Sequence, residues 1–135
     1  GGGGGGGGGG VGGGGANYNK AIDLSPRLFI AWVRRGVTLA DSGKLDDALR
    51  DLNQAVALSP RSFKAIYNRG RVFMQKQLWA EAINDLTRAT SLKEKNPKPY
   101  HLLGDVYSRM GDEEKALLYW ELARRLEKGS SDNVS

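Results

Sequence analysis

The sequence predicts an all-α protein made of stacked antiparallel helix pairs, and three observations predict it. Segments beginning at Trp32, Ile66 and Tyr100 resemble one another at a constant interval of 34 residues. Small residues keep the same interval: Gly36, Gly70 and Gly104, then Ala48, Ala82 and Ala116, then Ala55, Ala89 and Ala123. Within each segment apolar residues recur three and four apart, the spacing of one helix face and not of a strand. A fixed period of this size marks a repeat array, in which each unit buries its apolar face against its neighbours.

The first unit shows the logic of the helix pair. Trp32, Gly36 and Leu39 fall on one helical stripe, and Ala48, Leu52, Ala55 and Leu58 on a second. Residues 41–47 between them supply a glycine stop at Gly43 and a fresh acidic helix start at Asp46 and Asp47. Small residues let the two backbones approach, while Trp32 and Leu52 fill the remaining space. In the second pair, Gly70 and Ala82 are expected to face each other. The spacing predicts helices near 28–41, 45–58, 62–75, 79–92, 97–110 and 113–127, with a short one near 17–24.

The turns between units carry Ser25-Pro26-Arg27 and Ser59-Pro60-Arg61, where proline stops one helix and pre-sets entry to the next. In the third unit Glu94 stands at the expected proline position. Pro97 and Pro99 fit the first turn of the following helix instead, where a missing amide loses no partner.

Fourteen of the first 15 residues are glycine, broken only by Val11. Glycine loses the most conformational entropy on ordering and has no side chain to bury. Residues 1–15 therefore read as a flexible linker, a disordered tail or placeholders for unidentified residues. The tract is not a phosphate-binding loop, since no strand precedes it and the Gly-Lys-Ser/Thr ending is missing. Residues 16–28 look like the second half of a partial repeat, with Tyr18, Ala21 and Leu24 at the matching places. Repeats then span 29–62, 63–96 and 97–128. Residues 129–135 form a polar tail that should fray.

Composition narrows the function classes. The chain of 135 residues has no cysteine, so it can form neither a disulfide framework nor a thiolate metal site. Its net charge of +5 comes from 20 basic and 15 acidic residues spread along the chain. Nucleic-acid binders usually gather their basic residues on one face, so an RNA-binding solenoid is the less favoured alternative. No apolar run is long enough for a membrane span. His101 is the only histidine and has no cysteine or paired carboxylate at ligand spacing. The acidic stretches at Asp46-Asp47 and from Asp112 to Lys115 fall in first helical turns, where they complement the dipole rather than perform acid-base chemistry. The three tryptophans read as packing, with Trp79 placed in a turn between helices. No catalytic residue, cofactor or metal site is expected.

These residues together resemble the tetratricopeptide repeat family. Its signature of a tryptophan, Leu-Gly, then Tyr, Ala, Phe and Pro is met by Trp32, Gly36, Leu39, Ala48, Leu52, Ala55 and Pro60. Ile66, Gly70, Phe73, Ala82, Leu86 and Ala89 repeat it, as do Tyr100, Leu103, Gly104, Tyr107, Ala116, Trp120 and Ala123. Arg35 and Arg69 depart from it by replacing the leucine before glycine. The resemblance implies a right-handed α-solenoid of three 34-residue repeats plus the partial one. It also implies a cytoplasmic, non-catalytic adaptor or scaffold that binds a protein or peptide.

In the family the first helix of each pair lines a concave groove. Carried over, the groove positions are Val33, Val37, Lys64, Tyr67, Asn68, Arg71, Lys98, His101 and Arg109. Their first part is apolar and the rest mostly basic. Asp105 precedes Arg109 by four residues, a spacing that lets them pair and leaves Lys64, Arg71 and Lys98 to set the charge. The implied ligand is an extended peptide or helix with an apolar end and an acidic segment. The family's clamp for acidic chaperone tails maps onto Val33, Val37, Asn68, Lys98 and Leu102. Only Asn68 and Lys98 fit it, so that ligand is not expected. The alternative function is a structural piece of a longer array, its end surface formed by Leu118, Tyr119 and Leu122.

Overall fold

The computed structural model describes residues 28–134, with side chains for residues 28–129. The glycine tract, the partial repeat up to residue 27 and the short helix expected near 17–24 lie outside the described residues. Six α-helices and no strand are present among those described: α1 (Phe29–Asp41), α2 (Leu45–Leu58), α3 (Phe63–Gln75), α4 (Trp79–Leu92), α5 (Pro97–Arg109) and α6 (Glu113–Val134). Five of the six follow the expected bounds to within one residue. The fold is all-α and built from helix pairs.

Helix α6 corrects the reading of the C-terminus, since it runs to Val134 instead of stopping near 127. The stretch from Arg124 to Lys128 is rich in good helix formers and holds no proline. Glu121 further ties Arg124 and Arg125 into i,i+3 and i,i+4 pairs. Gly129 costs a helix about 1 kcal/mol, which is not enough to end it.

Turn chemistry repeats with the period. The second residue of each within-pair turn takes a positive φ, at Gly43 (82°), Gln77 (62°) and Gly111 (89°). Gln77 bears a side chain in that region at a cost of about 1 kcal/mol. Three helix starts are capped by side chains: Ser62 Oγ accepts from the Ala65 amide, Asn96 Oδ1 from Lys98 and Asp112 Oδ1 from Lys115. Pro97 stands at the start of α5, as expected, and Pro99 is buried. Asp46 and Asp47 in α2, Glu81 in α4 and Glu113 and Glu114 in α6 occupy first turns, where they complement the helix dipole.

The described residues divide into two compact units, with the boundary between Asn68 and Arg69. In the first, α1 packs against α2 around Val33, Ala48, Leu52 and Ala55, all essentially sealed from solvent. The backbone of α1 can approach because Gly36 has no Cβ: one placed there would lie 2.9 Å from Leu52 Cγ.

In the second unit α4 packs on α5 and α5 on α6, around Ala82, Leu86, Ala89, Leu103, Val106, Ala116 and Ala123. Gly70, expected to face Ala82, packs most closely on the two residues that follow Ala82 on the same side of α4. Its nearest neighbours are Leu86 Cδ2 and Cγ at 3.1 Å and Asp85 Cβ at 3.2 Å. The longer leucine one turn further along α4 reaches the space the glycine leaves open.

A buried ion pair joins the helices of the first two repeats. Arg35 donates through Nε and Nη2 to both carboxylate oxygens of Asp51, at 2.7 and 2.8 Å. Arg69 does the same to Asp85 at 2.7 and 2.9 Å. Both aspartates are almost fully buried, at 3% and 4% exposure. The third repeat puts Leu103 and Tyr119 at these register positions. The two departures from the family leucine are therefore one half of a paired exchange.

Candidate functional site

The residues expected to bind a partner divide among α1, α3 and α5. On α3, Lys64, Tyr67, Asn68 and Arg71 stand at i, i+3, i+4 and i+7, so the helix itself gathers them on one face. Lys64 is exposed and the other three are half-buried. Tyr67 stacks on Phe63 with ring centroids 5.3 Å apart and planes 9° apart, which holds the phenol ring in one orientation. The Asn68 side-chain amide donates to the Lys64 carbonyl at 2.8 Å. This face offers a fixed aromatic surface beside a solvated cation.

On α1 the expectation needs correcting. Val33 is only 1% exposed, so it belongs to the core and presents nothing to a ligand. The helix needs an apolar side chain at that register to pack. Val37, one turn on, is half-buried and keeps an accessible edge.

On α5, Lys98 is exposed at the helix start, where its amide satisfies the Asn96 cap. His101 Nε2 lies 3.1 Å from Glu127 Oε2, which ties its ring to α6. The expected pairing of Asp105 with Arg109 does not form. Asp105 instead accepts a hydrogen bond from the Trp120 indole N–H at 3.0 Å. The Arg109 guanidinium lies 5.5 Å from the centre of the Trp79 ring. Trp79 is the first residue of α4 and not part of a turn. A cation held over a tryptophan face is a common interface feature. A separation of 30 positions carries no periodic signal that pairs them.

The end of the chain also differs from expectation. Tyr119 turns inward, stacking on Tyr107 at 5.5 Å with Tyr100 at 6.4 Å. Burial, then the neighbouring Tyr107 and Tyr100 hydroxyls, raise the Tyr119 hydroxyl above the usual tyrosine value. Leu122 is half-buried. Among the described residues the exposed large apolar side chains of α6 are Leu117 and Leu118, at 63% and 55%.

Among the described residues no group of histidine or carboxylate side chains could hold a metal ion, and no helix is long and apolar enough to cross a membrane. The chemistry on offer is that of recognition: aromatic faces, guanidinium groups and exposed lysines.

Family models for the TPR repeat match residues 38–77 and 70–111, and one for the tetratricopeptide repeat matches residues 97–127. The chain belongs to the tetratricopeptide repeat family. Two crystal structures of MamA are similar to this tetratricopeptide repeat chain, each at 29% identity. One aligns with a TM-score of 0.79 over 85% of this chain and 67% of its own; the other scores 0.78 over 85% and 63%. MamA from residue 41 to its end, from Desulfovibrio magneticus RS-1, is 24% identical with a TM-score of 0.79, over 85% of this chain and 65% of its own. At that identity the likeness speaks for the fold alone. The chain thus spans about two thirds of the length of these structures. No curated protein matches it in sequence. Tetratricopeptide repeats support a protein-interaction or scaffold module, and the packing described above is of that kind.

Proposed function

We propose that the chain is an adaptor or scaffold that binds an extended peptide or partner helix, using the α3 face of Lys64, Tyr67, Asn68 and Arg71 as its anchor. The stacked Phe63–Tyr67 pair beside the exposed Lys64 carries this reading. A ring already fixed by stacking loses little entropy on binding, and aromatic and arginine side chains dominate interface energies. The positive charge of Lys64 and Arg71 selects a ligand with an acidic segment. In the same reading, Lys98, His101 and Arg109 add to the contact surface of the second unit, and Val37 offers apolar contact in the first. A cytoplasmic location belongs to this proposal too, supported by the cysteine-free sequence. No catalytic step is assigned to any residue.

The test uses a fluorescently labelled peptide with a leucine-rich half and a glutamate-rich half, mixed by stopped flow at low and high salt. Lys64→Glu and Arg71→Glu should each slow association roughly tenfold at low salt and flatten its salt dependence, because charge acts mainly on encounter rate. Circular dichroism should show both variants folded. Association rates identical to the parent protein would place binding elsewhere.

A further inference from the structure

Asp105 and Arg109 stand four residues apart on α5, acid before base, the order in which a helix pairs such charges most readily. They do not pair. The Trp120 indole N–H of α6 donates to Asp105 Oδ1 at 3.0 Å, and the Arg109 guanidinium lies 5.5 Å from the centre of the Trp79 ring of α4. Both charged side chains are exposed, and among the described residues no ion pair engages either. Each charge is therefore held by a tryptophan from a different helix. The Trp79 ring attracts the guanidinium without neutralising it. Its planar fork remains able to take a carboxylate through two parallel bonds.

The repeat register shows that packing alone does not ask for this arrangement. Trp120 stands where the earlier repeats have Leu52 and Leu86, which fill the space beside Gly36 and Gly70 without bringing a donor. Trp120 fills the same space beside Gly104 and adds an N–H. The acceptor arrives with the donor, since Asp105 stands where those repeats have Val37 and Arg71. Likewise Trp79 replaces Leu45 of the first repeat, and Arg109 stands where Asp41 and Gln75 precede it in the pattern. Leucine serves the packing twice already. What the indole contributes beyond it is the bond that holds Asp105.

We propose that Arg109 is the residue of the second unit that takes a carboxylate of the ligand, and that Trp79 and Trp120 are positioning residues that keep it from its own neighbour Asp105. This rests on the proposed binding of an acidic peptide and names the group that receives the acid in this unit. A guanidinium already oriented, and not engaged by an acid of its own helix, has less to give up on binding.

Two measurements on the full chain test the proposal. In the first, NMR follows the Arg109 side chain with no ligand present. Its Cδ protons should be shifted upfield by the Trp79 ring in the parent protein. In Trp120→Leu, which frees Asp105, they should move back toward ordinary arginine values; adding Asp105→Ala should return them to the parent position. In the second, calorimetry measures binding of the peptide with leucine-rich and glutamate-rich halves. Arg109→Gln should weaken binding roughly tenfold through the loss of a charge-assisted contact. Trp120→Leu should weaken it about twofold, the strength of an i,i+4 pair that competes for Arg109, and Asp105→Ala in the same chain should restore it. If Trp120→Leu does not fold, Trp120→Phe keeps a ring beside Gly104 and makes the same comparison. An equal loss from the Trp120 variant with and without Asp105 overturns the positioning role. An Arg109→Gln protein that binds like the parent overturns the carboxylate assignment. A parent protein that ignores the peptide contradicts the acidic-ligand reading itself, while the ligand-free spectra still decide whether the tryptophans keep the two charges apart.

Discussion

Replacing Asp85 with alanine is expected to lower the unfolding free energy by about 3 kcal/mol, because it removes the carboxylate that pairs with the part-buried Arg69 guanidinium. The Asp85 side chain is 6% exposed and its partner Arg69 is 22% exposed. Both carboxylate oxygens accept from Arg69, so the substitution removes two charge-assisted bonds at once. Water reaches part of Arg69, which holds the cost at the lower end of the range for breaking a buried pair. The third repeat shows the apolar solution: Leu103 is sealed at 1% exposure, and Tyr119 stacks within the same helix pair. The double variant Arg69→Leu with Asp85→Ala should therefore be more stable than Asp85→Ala alone, since it removes the orphaned charge. Urea titrations followed by circular dichroism measure both. A double variant no better than the single one would mean that the pair contributes little beyond its packing volume.

Gly104→Ala is expected to cost about 2 kcal/mol, more than the same change at Gly36 or Gly70. A Cβ at Gly104 would fall on the five-membered part of the Trp120 indole, against Cδ1 and Nε1. The ring is rigid, so it must swing as a whole. Swinging breaks the hydrogen bond from its N–H to Asp105. At Gly70 the neighbour is Leu86, whose branched end stands 3.1 Å away and can adjust by rotamer. At Gly36 the nearest atom is Leu52 Cγ at 2.9 Å, an intermediate case. Thermal melts of the three alanine variants should rank Gly104 worst and Gly70 mildest. A Gly104→Ala protein as stable as the parent would show that α5 and α6 are not held at this approach.

The helices were legible because each depends on local residues recurring every 34 positions. The small residues at 36, 70 and 104 announced close packing before any partner was known. Their partners were less legible. The nearest neighbour of Gly70 is Leu86, because reach across a helix pair depends on side-chain length as well as spacing. The Arg–Asp pairs are not legible in the sequence for a related reason. Residues 16 apart on different helices share no face in the sequence, and Arg35 and Arg69 looked only like replacements for leucine. Read as columns, the joint change of Arg and Asp to Leu103 and Tyr119 was the available signal. On α3 the sequence suffices to bring Lys64, Tyr67, Asn68 and Arg71 to one face, because one helix gathers its own residues. The site was misread at Val33, where a register carried over from the family put a core position on the surface.

Backbone amide NMR is the decisive measurement for the proposed recognition of an acidic peptide by the α3 face. Titrating the peptide with leucine-rich and glutamate-rich halves into labelled protein should shift the amides of Lys64, Tyr67, Asn68 and Arg71 first and most. The shifts should shrink in high salt, and a lysine-rich counterpart should leave them unchanged. Saturating shifts confined to α6, or α3 shifts equally large with the lysine-rich peptide, would contradict the claim.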